Sequence, residues 1–145
     1  MTSNERNGLM PSAWGPAFWH VLYTWSANYS LEPTPEQMKD AALFLYSISR
    51  ALPCRKCREN FPRNAREAGL NRQTFQNRDN LFAFVYGLHT SESRALGKQL
   101  TFTLAEAREM IESFRAKCNA SPEVHQGCQQ PIAGTKKPIL KLVVE

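Results

Sequence analysis

An all-α fold is what this sequence predicts: a four-helix bundle with a short fifth helix and a flexible C-terminal tail. Three features point there. Apolar residues recur three and four apart through most of the chain, the period of a helix with one buried face. Two capping boxes, Thr34 to Gln37 and Thr103 to Glu106, mark helix starts. No strand-like alternation occurs before the tail.

Gly15-Pro16 opens the first helix, with proline at its first position, where a missing N–H costs nothing. Phe18, Val21, Leu22 and Trp25 then follow at helical spacing. The second helix starts at the Thr34 box and puts Met38, Ala41, Ala42, Leu45, Ile48 and Leu52 on one inward stripe. Pro53 stops it, and a third helix starts at a C-x-x-C, Cys54 to Cys57, with Pro62 set to kink or shorten it. After a polar loop over Gly69 to Gln76, a long fourth helix runs from about Asn77 to Leu96, with Gly97 at the position after its cap. The Thr103 box opens the fifth, with Leu104, Ala107, Met110, Ile111 and Phe114 inward. Residues 1–118 read as one domain. Residues 119–145 turn to Pro, Gly, Gln and Lys and read as the tail, in which Ile139 to Val144 has the composition of an extended segment.

The 145 residues suffice for one domain with a core. A hydrophobic fraction of 42% and a charged fraction of 21% are ordinary for a folded soluble chain. No run approaches 18 apolar residues, so no membrane span is expected, and Met1 to Gly8 lacks the apolar region of a secretory signal. The formal charge of +5 is concentrated. Between Arg50 and Arg78 stand eight basic residues against two acidic ones, Glu59 and Glu67. Such a face binds anions or is simply solvated. Aromatic interleaving and a reader motif are both missing, so nucleic acid is not the expected partner.

Of the four cysteines, Cys54 and Cys57 form the C-x-x-C; Cys118 and Cys128 stand apart. At a helix start the two thiols lie within disulfide reach, and the helix N-terminus with Arg55, Lys56 and Arg58 favours the thiolate, the attacking species in disulfide exchange. A thioredoxin-like site needs a strand before the motif; a helical stripe stands there instead. Two readings stay open from the residues alone. One is a redox disulfide that hands its electrons to an acceptor. The other is a zinc-stabilised helical interaction module with a basic face, in which Cys118, Cys128 or His125 completes the ligand set.

Three segments carry a resemblance. Trp14-Gly15-Pro16-Ala17-Phe18-Trp19 looks like the W-G-x-x-x-W opening of the Erv/ALR sulfhydryl oxidases. Leu52-Pro53-Cys54-Arg55-Lys56-Cys57 matches that family's [LY]-P-C-x-x-C. The stretch from His89 to Lys98 resembles its H-N-x-V-N-x-x-L-G-K, and the three come in family order across about residues 12–116.

The resemblance implies FAD held non-covalently in the bundle, usually in a homodimer. It also implies oxidation of dithiols in protein substrates, with O2 reduced to H2O2. The chain has seven glycines and no G-x-G-x-x-G, so a Rossmann cradle is independently excluded. By resemblance, Cys57 is the flavin-side cysteine and Cys54 exchanges with substrate. Trp14, Gly15, Trp19 and Tyr23 line the flavin site from the first helix, and Tyr86, His89, Ser93, Leu96 and Lys98 from the fourth. Taken singly, Trp14, Trp19 and Tyr86 read as core aromatics, His89 as a satisfied core histidine and Lys98 as surface.

The chain also departs from the family. Tyr23 stands where a second histidine is usual, Thr90 and Ser93 replace the two asparagines, and Glu92 replaces the valine. Phe114 is the candidate for a fifth-helix tryptophan that packs on the adenine. Cys118 and Cys128 are read as a structural bridge in preference to a shuttle pair or a link between subunits. The minimal length looks most like members encoded by large DNA viruses. That implies a cytoplasmic or virion location, with the mitochondrial intermembrane space as the alternative.

Overall fold

Helices α1 (Pro11–Ala27), α2 (Pro35–Ala51), α3 (Arg55–Glu67), α4 (Arg78–Ala95) and α5 (Leu104–Glu112) make up most of residues 5–118, which the structure, a computed structural model, describes. Short 3-10 turns stand at Glu5–Asn7 and Arg72–Phe75. Among the described residues there is no strand, only an isolated antiparallel bridge between Gly8 and Cys54. The first compact unit closes at Ser113. Residues 114–118 continue without regular structure, and Cys128 and His125 lie outside the described residues, as does the expected extended segment from Ile139.

Helix boundaries follow the local chemistry. Both capping boxes close: Thr34 Oγ1 accepts from the Gln37 N–H at 3.2 Å, and Thr103 Oγ1 from the Glu106 N–H at 3.2 Å, each reciprocated by the Gln37 or Glu106 side chain. Asn77 caps α4 through its side chain, at 2.8 Å from the Asn80 N–H. One start differs from the sequence reading. α1 begins at Pro11, a second proline that suits a first position, and Pro16 lies inside the helix. Pro16 removes one backbone bond, and the packing of Trp14 and Phe18 against Leu52 and the cysteine pair holds the turn helical despite it. Pro62 likewise sits inside α3 without ending it.

α4 is the central element, packed by α1 on one side and α3 on another, with α5 lying against both α1 and α4. Leu22, Leu81 and Val85 are fully buried, and Tyr23, Leu45, Phe84, Leu88 and Ile111 nearly so. Truncating any of these leucines to alanine costs ~2–5 kcal/mol, because the packed surroundings cannot close the hole. Val21, expected inward, is 52% exposed, since α1 turns Leu22 and Tyr23 to α4 and so leaves Val21 outside. α5 ends before Phe114, so that residue follows the helix and is not part of its inward face.

Candidate active site

Pro53 ends α2 and leaves Cys54 as the N-cap of α3. Its Sγ accepts a hydrogen bond from the Cys57 N–H at 3.2 Å and is joined to the Cys57 sulfur in a disulfide. A sulfur at a helix N-terminus faces unsatisfied amides and the positive end of the helix dipole, which lowers the cost of a thiolate there. The preceding loop is pinned from the N-terminal segment. The Leu9 N–H donates to the Pro53 carbonyl at 2.6 Å, and Arg55 donates to Asn7 Oδ1 at 3.1 Å. Gly8 makes this approach possible: its φ is 83°, and a Cβ there would run into the Pro53 carbonyl. Arg58 closes the turn from the other side by donating to the Leu52 carbonyl. A disulfide has no thiolate to offer a metal, so the zinc reading loses the pair on which it depended.

Behind the disulfide lies a cavity of about 530 Å³ between α1, α3, α4 and α5. Its size falls in the range of cofactor sites, ~300–1,000 Å³. Cys57 lines it; Cys54 does not. From α1 it takes Trp14, Gly15, Trp19 and Tyr23, all singled out by sequence. His89, Ser93, Leu96 and Lys98 face it from α4 and the turn beyond. Tyr86 stands behind the wall: its hydroxyl donates to the Phe102 carbonyl at 2.9 Å and holds Phe102, which does line the cavity. Phe114 lies beyond the unit that carries the cavity.

The turn that carries Lys98 follows from three residues. Leu96 caps α4, Gly97 adopts φ 71°, and the chain reverses so that the Lys98 N–H donates to the Ser93 carbonyl at 2.8 Å and the Gly97 N–H to the Arg94 carbonyl at 3.0 Å. This is the six-to-one, five-to-two closure of a Schellman motif. It puts an exposed ammonium at the cavity rim beside the last turn of α4.

Aromatic rings form the inner wall. The Trp19 indole stacks on the His89 imidazole with centroids 4.1 Å apart and planes 17° from parallel. Tyr23 Oη lies 2.9 Å from His89 Nδ1. Burial pushes the Tyr23 phenol well above its ordinary range, with the nearby Tyr86 adding to it, and burial pulls His89 down to about 4. Near neutral pH both are therefore uncharged. The hydrogen bond ties the phenol to Nδ1, and the imidazole tautomer sets which of the two donates. Tyr23 thus does from its own position what a polar side chain is needed for there: it orients the imidazole.

Residues from α3 and the α4–α5 loop also line the cavity without any sequence motif to announce them. Phe61 and Asn64 come from α3, and Leu100 and Phe102 from the loop. Asn64 is 1% exposed and donates to the Glu92 carboxylate, while its Oδ1 lies 3.5 Å from Ser91 Oγ. Burial raises Glu92, and the Asn64 hydrogen bond and the Arg63 charge pull it back. A polar residue inside a helix, spaced seven from Cys57, was the available signal for Asn64.

Whether these residues fit a flavin is testable on the backbone. Gly15 lies within α1, where glycine costs ~0.5–1 kcal/mol relative to alanine. A Cβ built on it meets nothing within 4 Å, and the residue lines the cavity. Here the missing side chain keeps space open for a ligand. With aromatic walls for a ring system, a lysine at the rim for a phosphate and a cysteine sulfur at one end, the donor set suits FAD.

The family model described as the Erv1 / Alr family matches residues 16–115. A probable FAD-linked sulfhydryl oxidase of Acanthamoeba polyphaga mimivirus is 29% identical over 104 residues, 72% of this chain and 72% of its own. The mitochondrial FAD-linked sulfhydryl oxidase erv1 of Schizosaccharomyces pombe is 31% identical over 86 residues, covering 59% of this chain and 47% of the yeast one, about half its length. Among solved structures, the FAD binding domain of Erv1 from Saccharomyces cerevisiae superposes with a TM-score of 0.64 at 22% identity, over 72% of this chain and 96% of that one. At that identity the likeness shows the shared helical fold.

Proposed function

The chain belongs to the Erv1 / Alr family, and from that premise we propose that Cys57 is the flavin-facing sulfur and Cys54 the substrate-facing one of a thiol oxidase. The protein is an FAD-dependent sulfhydryl oxidase that forms disulfides in thiol-containing protein substrates, with O2 as oxidant and H2O2 as product. The observation that carries the assignment of roles is the asymmetry of the pair: Cys57 lines the aromatic cavity and Cys54 does not.

The chemistry of the pair follows from its position. A substrate thiolate attacks Cys54 Sγ, the Cys54–Cys57 bond breaks, and the electron pair leaves on Cys57. The second substrate thiol attacks the mixed disulfide, releasing Cys54 as a thiolate that the Cys57 N–H and the α3 N-terminus stabilise. The substrate is then a disulfide and the enzyme a dithiol. FAD, when bound, would supply the acceptor for the two electrons of that dithiol and their passage, with two protons, to O2. Trp19, with His89 stacked on it, and Tyr23 would hold the ring system, Gly15 leaves it room, and Ser93, Leu96 and Lys98 flank the outer end, the ammonium meeting a phosphate.

A homodimer, a domain spanning residues 1–118 with a tail over 119–145, and a cytoplasmic or virion location complete the proposal. Likeness to a viral relative supports the location, against the mitochondrial one that the yeast relative's name carries. No described helix is long and apolar enough to cross a membrane.

One purification tests the core of this. The protein should be yellow, release FAD on denaturation and consume O2 with dithiothreitol while producing H2O2. Colourless protein that gains no activity on adding FAD would sink the proposal.

A further inference from the structure

A second groove, of about 930 Å³, lies between α2 and α3, on the other side of α3 from the flavin cavity's wall of α4. Its floor is apolar: Leu45 from α2, Phe61 and Ala65 from α3, and Leu70 and Phe75 from the segment after it. Its rim carries Arg50, Arg58, Arg66 and Arg72, and no carboxylate lines it. None of these four guanidiniums has a carboxylate partner among the described residues. Arg50 donates to the Tyr46 hydroxyl at 2.7 Å and Arg58 to the Leu52 carbonyl. The two acidic residues of the basic stretch are turned elsewhere, Glu67 accepting from Ser91 on α4 at 2.5 Å and Glu59 outside the groove.

The near end of the groove is bordered by the two helices that meet at the turn carrying the redox disulfide, although neither cysteine lines it. α2 ends and α3 starts at the Pro53–Cys54 turn, so Arg50 and Arg58 mark the near end. Arg58 follows Cys54 by one helical turn, and its guanidinium reaches back to the residue before Pro53. From Arg58 to Arg66 the α3 wall runs ~12 Å at 1.5 Å per residue, enough for about four extended residues or two helical turns of a bound segment.

We propose that this groove docks the protein substrate, through a segment near the substrate cysteines that combines apolar side chains with carboxylates. The inference rests on the thiol-oxidase reading. Apolar side chains would cover the floor, and guanidinium forks pair with carboxylates in a bidentate geometry. Four cations along the groove, Arg50, Arg66 and Arg72 exposed and Arg58 half-buried, also steer an acidic segment toward Cys54 by a salt-sensitive field. Two other occupants fit less well. A second copy would present the same basic face to itself across a twofold axis, placing like charges opposite each other. Residues 119–145 of the chain carry Glu123 and Glu145 against Lys136, Lys137 and Lys141, which leaves them no acidic surplus.

The test uses FAD-loaded full-length enzyme and two reduced Cys-x-x-C peptides of equal length. One has Glu and Leu beside the cysteines, the other Lys and Leu; dithiothreitol is the third substrate. At low salt the Glu peptide should show kcat/KM at least tenfold above the Lys peptide. That ratio should collapse in 0.5 M salt and in the Arg66→Glu/Arg72→Glu variant, while the dithiothreitol rate stays at the wild-type value. Equal kcat/KM for the two peptides overturns the proposal. Fluorescence anisotropy of a Glu peptide with both cysteines replaced by serine reads docking without turnover, so it decides the groove even if no thiol is oxidised. Binding that weakens at least tenfold in the variant supports it, and binding that is absent or unchanged overturns it. A variant that alters the oligomeric state on sedimentation overturns it too, by making the groove an interface between copies. So does single-stranded RNA that outcompetes the Glu peptide.

Discussion

Trp19 on α1 and His89 on α4 stack face to face, 4.1 Å between centroids, at the place where the two helices enclose the cavity. The pair both joins the helices and forms the wall that a flavin would meet. An aromatic contact of this kind contributes ~0.5–1.5 kcal/mol beyond the area it buries. Trp19→Ala and His89→Ala should therefore each weaken FAD binding by a few-fold to about tenfold. Titration of apoprotein with FAD, followed by flavin fluorescence, gives the number. Unchanged affinity in both variants at unchanged Tm would return the two rings to a purely structural role.

The imidazole adds a pH dependence. Burial holds His89 at about 4, below the 6.5 of the free side chain, so the folded state binds this proton less readily than the unfolded one. The sign follows: its contribution is fully present above about 6.5 and is lost as pH falls from there towards 4. Apoprotein Tm should stay flat in this respect from pH 8 to 6.5 and then decline. In His89→Phe the decline over the same window should be shallower. Parallel curves for wild type and variant would count against the buried neutral histidine.

The two cysteines should fail differently. Cys57→Ser should abolish O2 consumption with dithiothreitol and keep FAD, because it removes the electron donor and leaves the pocket. Cys54→Ser should also be inactive. Its remaining Cys57 thiolate, facing the cavity, should give a long-wavelength charge-transfer absorbance with oxidised flavin at alkaline pH. If the band forms in Cys57→Ser and not in Cys54→Ser, the roles are reversed.

Gly15 separates stability from binding. Gly15→Ala should stabilise the apoprotein by ~0.5–1 kcal/mol, since a helical glycine is replaced where the new Cβ meets nothing. Gly15→Leu should fill the cavity and cut FAD affinity at least tenfold while the fold persists. Melting curves and FAD titrations on both variants check this. Retained affinity in Gly15→Leu would mean that the flavin does not use this space.

The helix starts and several of the residues that line the cavity were legible in the sequence. Capping is local: Thr34, Asn77 and Thr103 each find their partner within three residues, so the starts they mark are legible without a fold. Gly97 and Lys98 belong to the same class, because a Schellman turn closes on its own helix. Cys54 and Cys57 are three apart and need only a helix start to meet. The tertiary structure decided the rest. Pro16 lies inside α1 because Trp14 packs on Leu52 and the disulfide, residues nearly forty positions away along the chain, and propensity could not foresee that contact. Asn64, Phe61 and Phe102 entered the cavity only when α3 and the loop after α4 were laid against α1, while Tyr86 became a support for Phe102. Which sulfur faces the cavity, and which four of eight basic residues share one groove, are likewise products of packing. Local hydrogen bonds are written in neighbouring residues, whereas a cavity exists only between elements, and its lining depends on every helix that closes it.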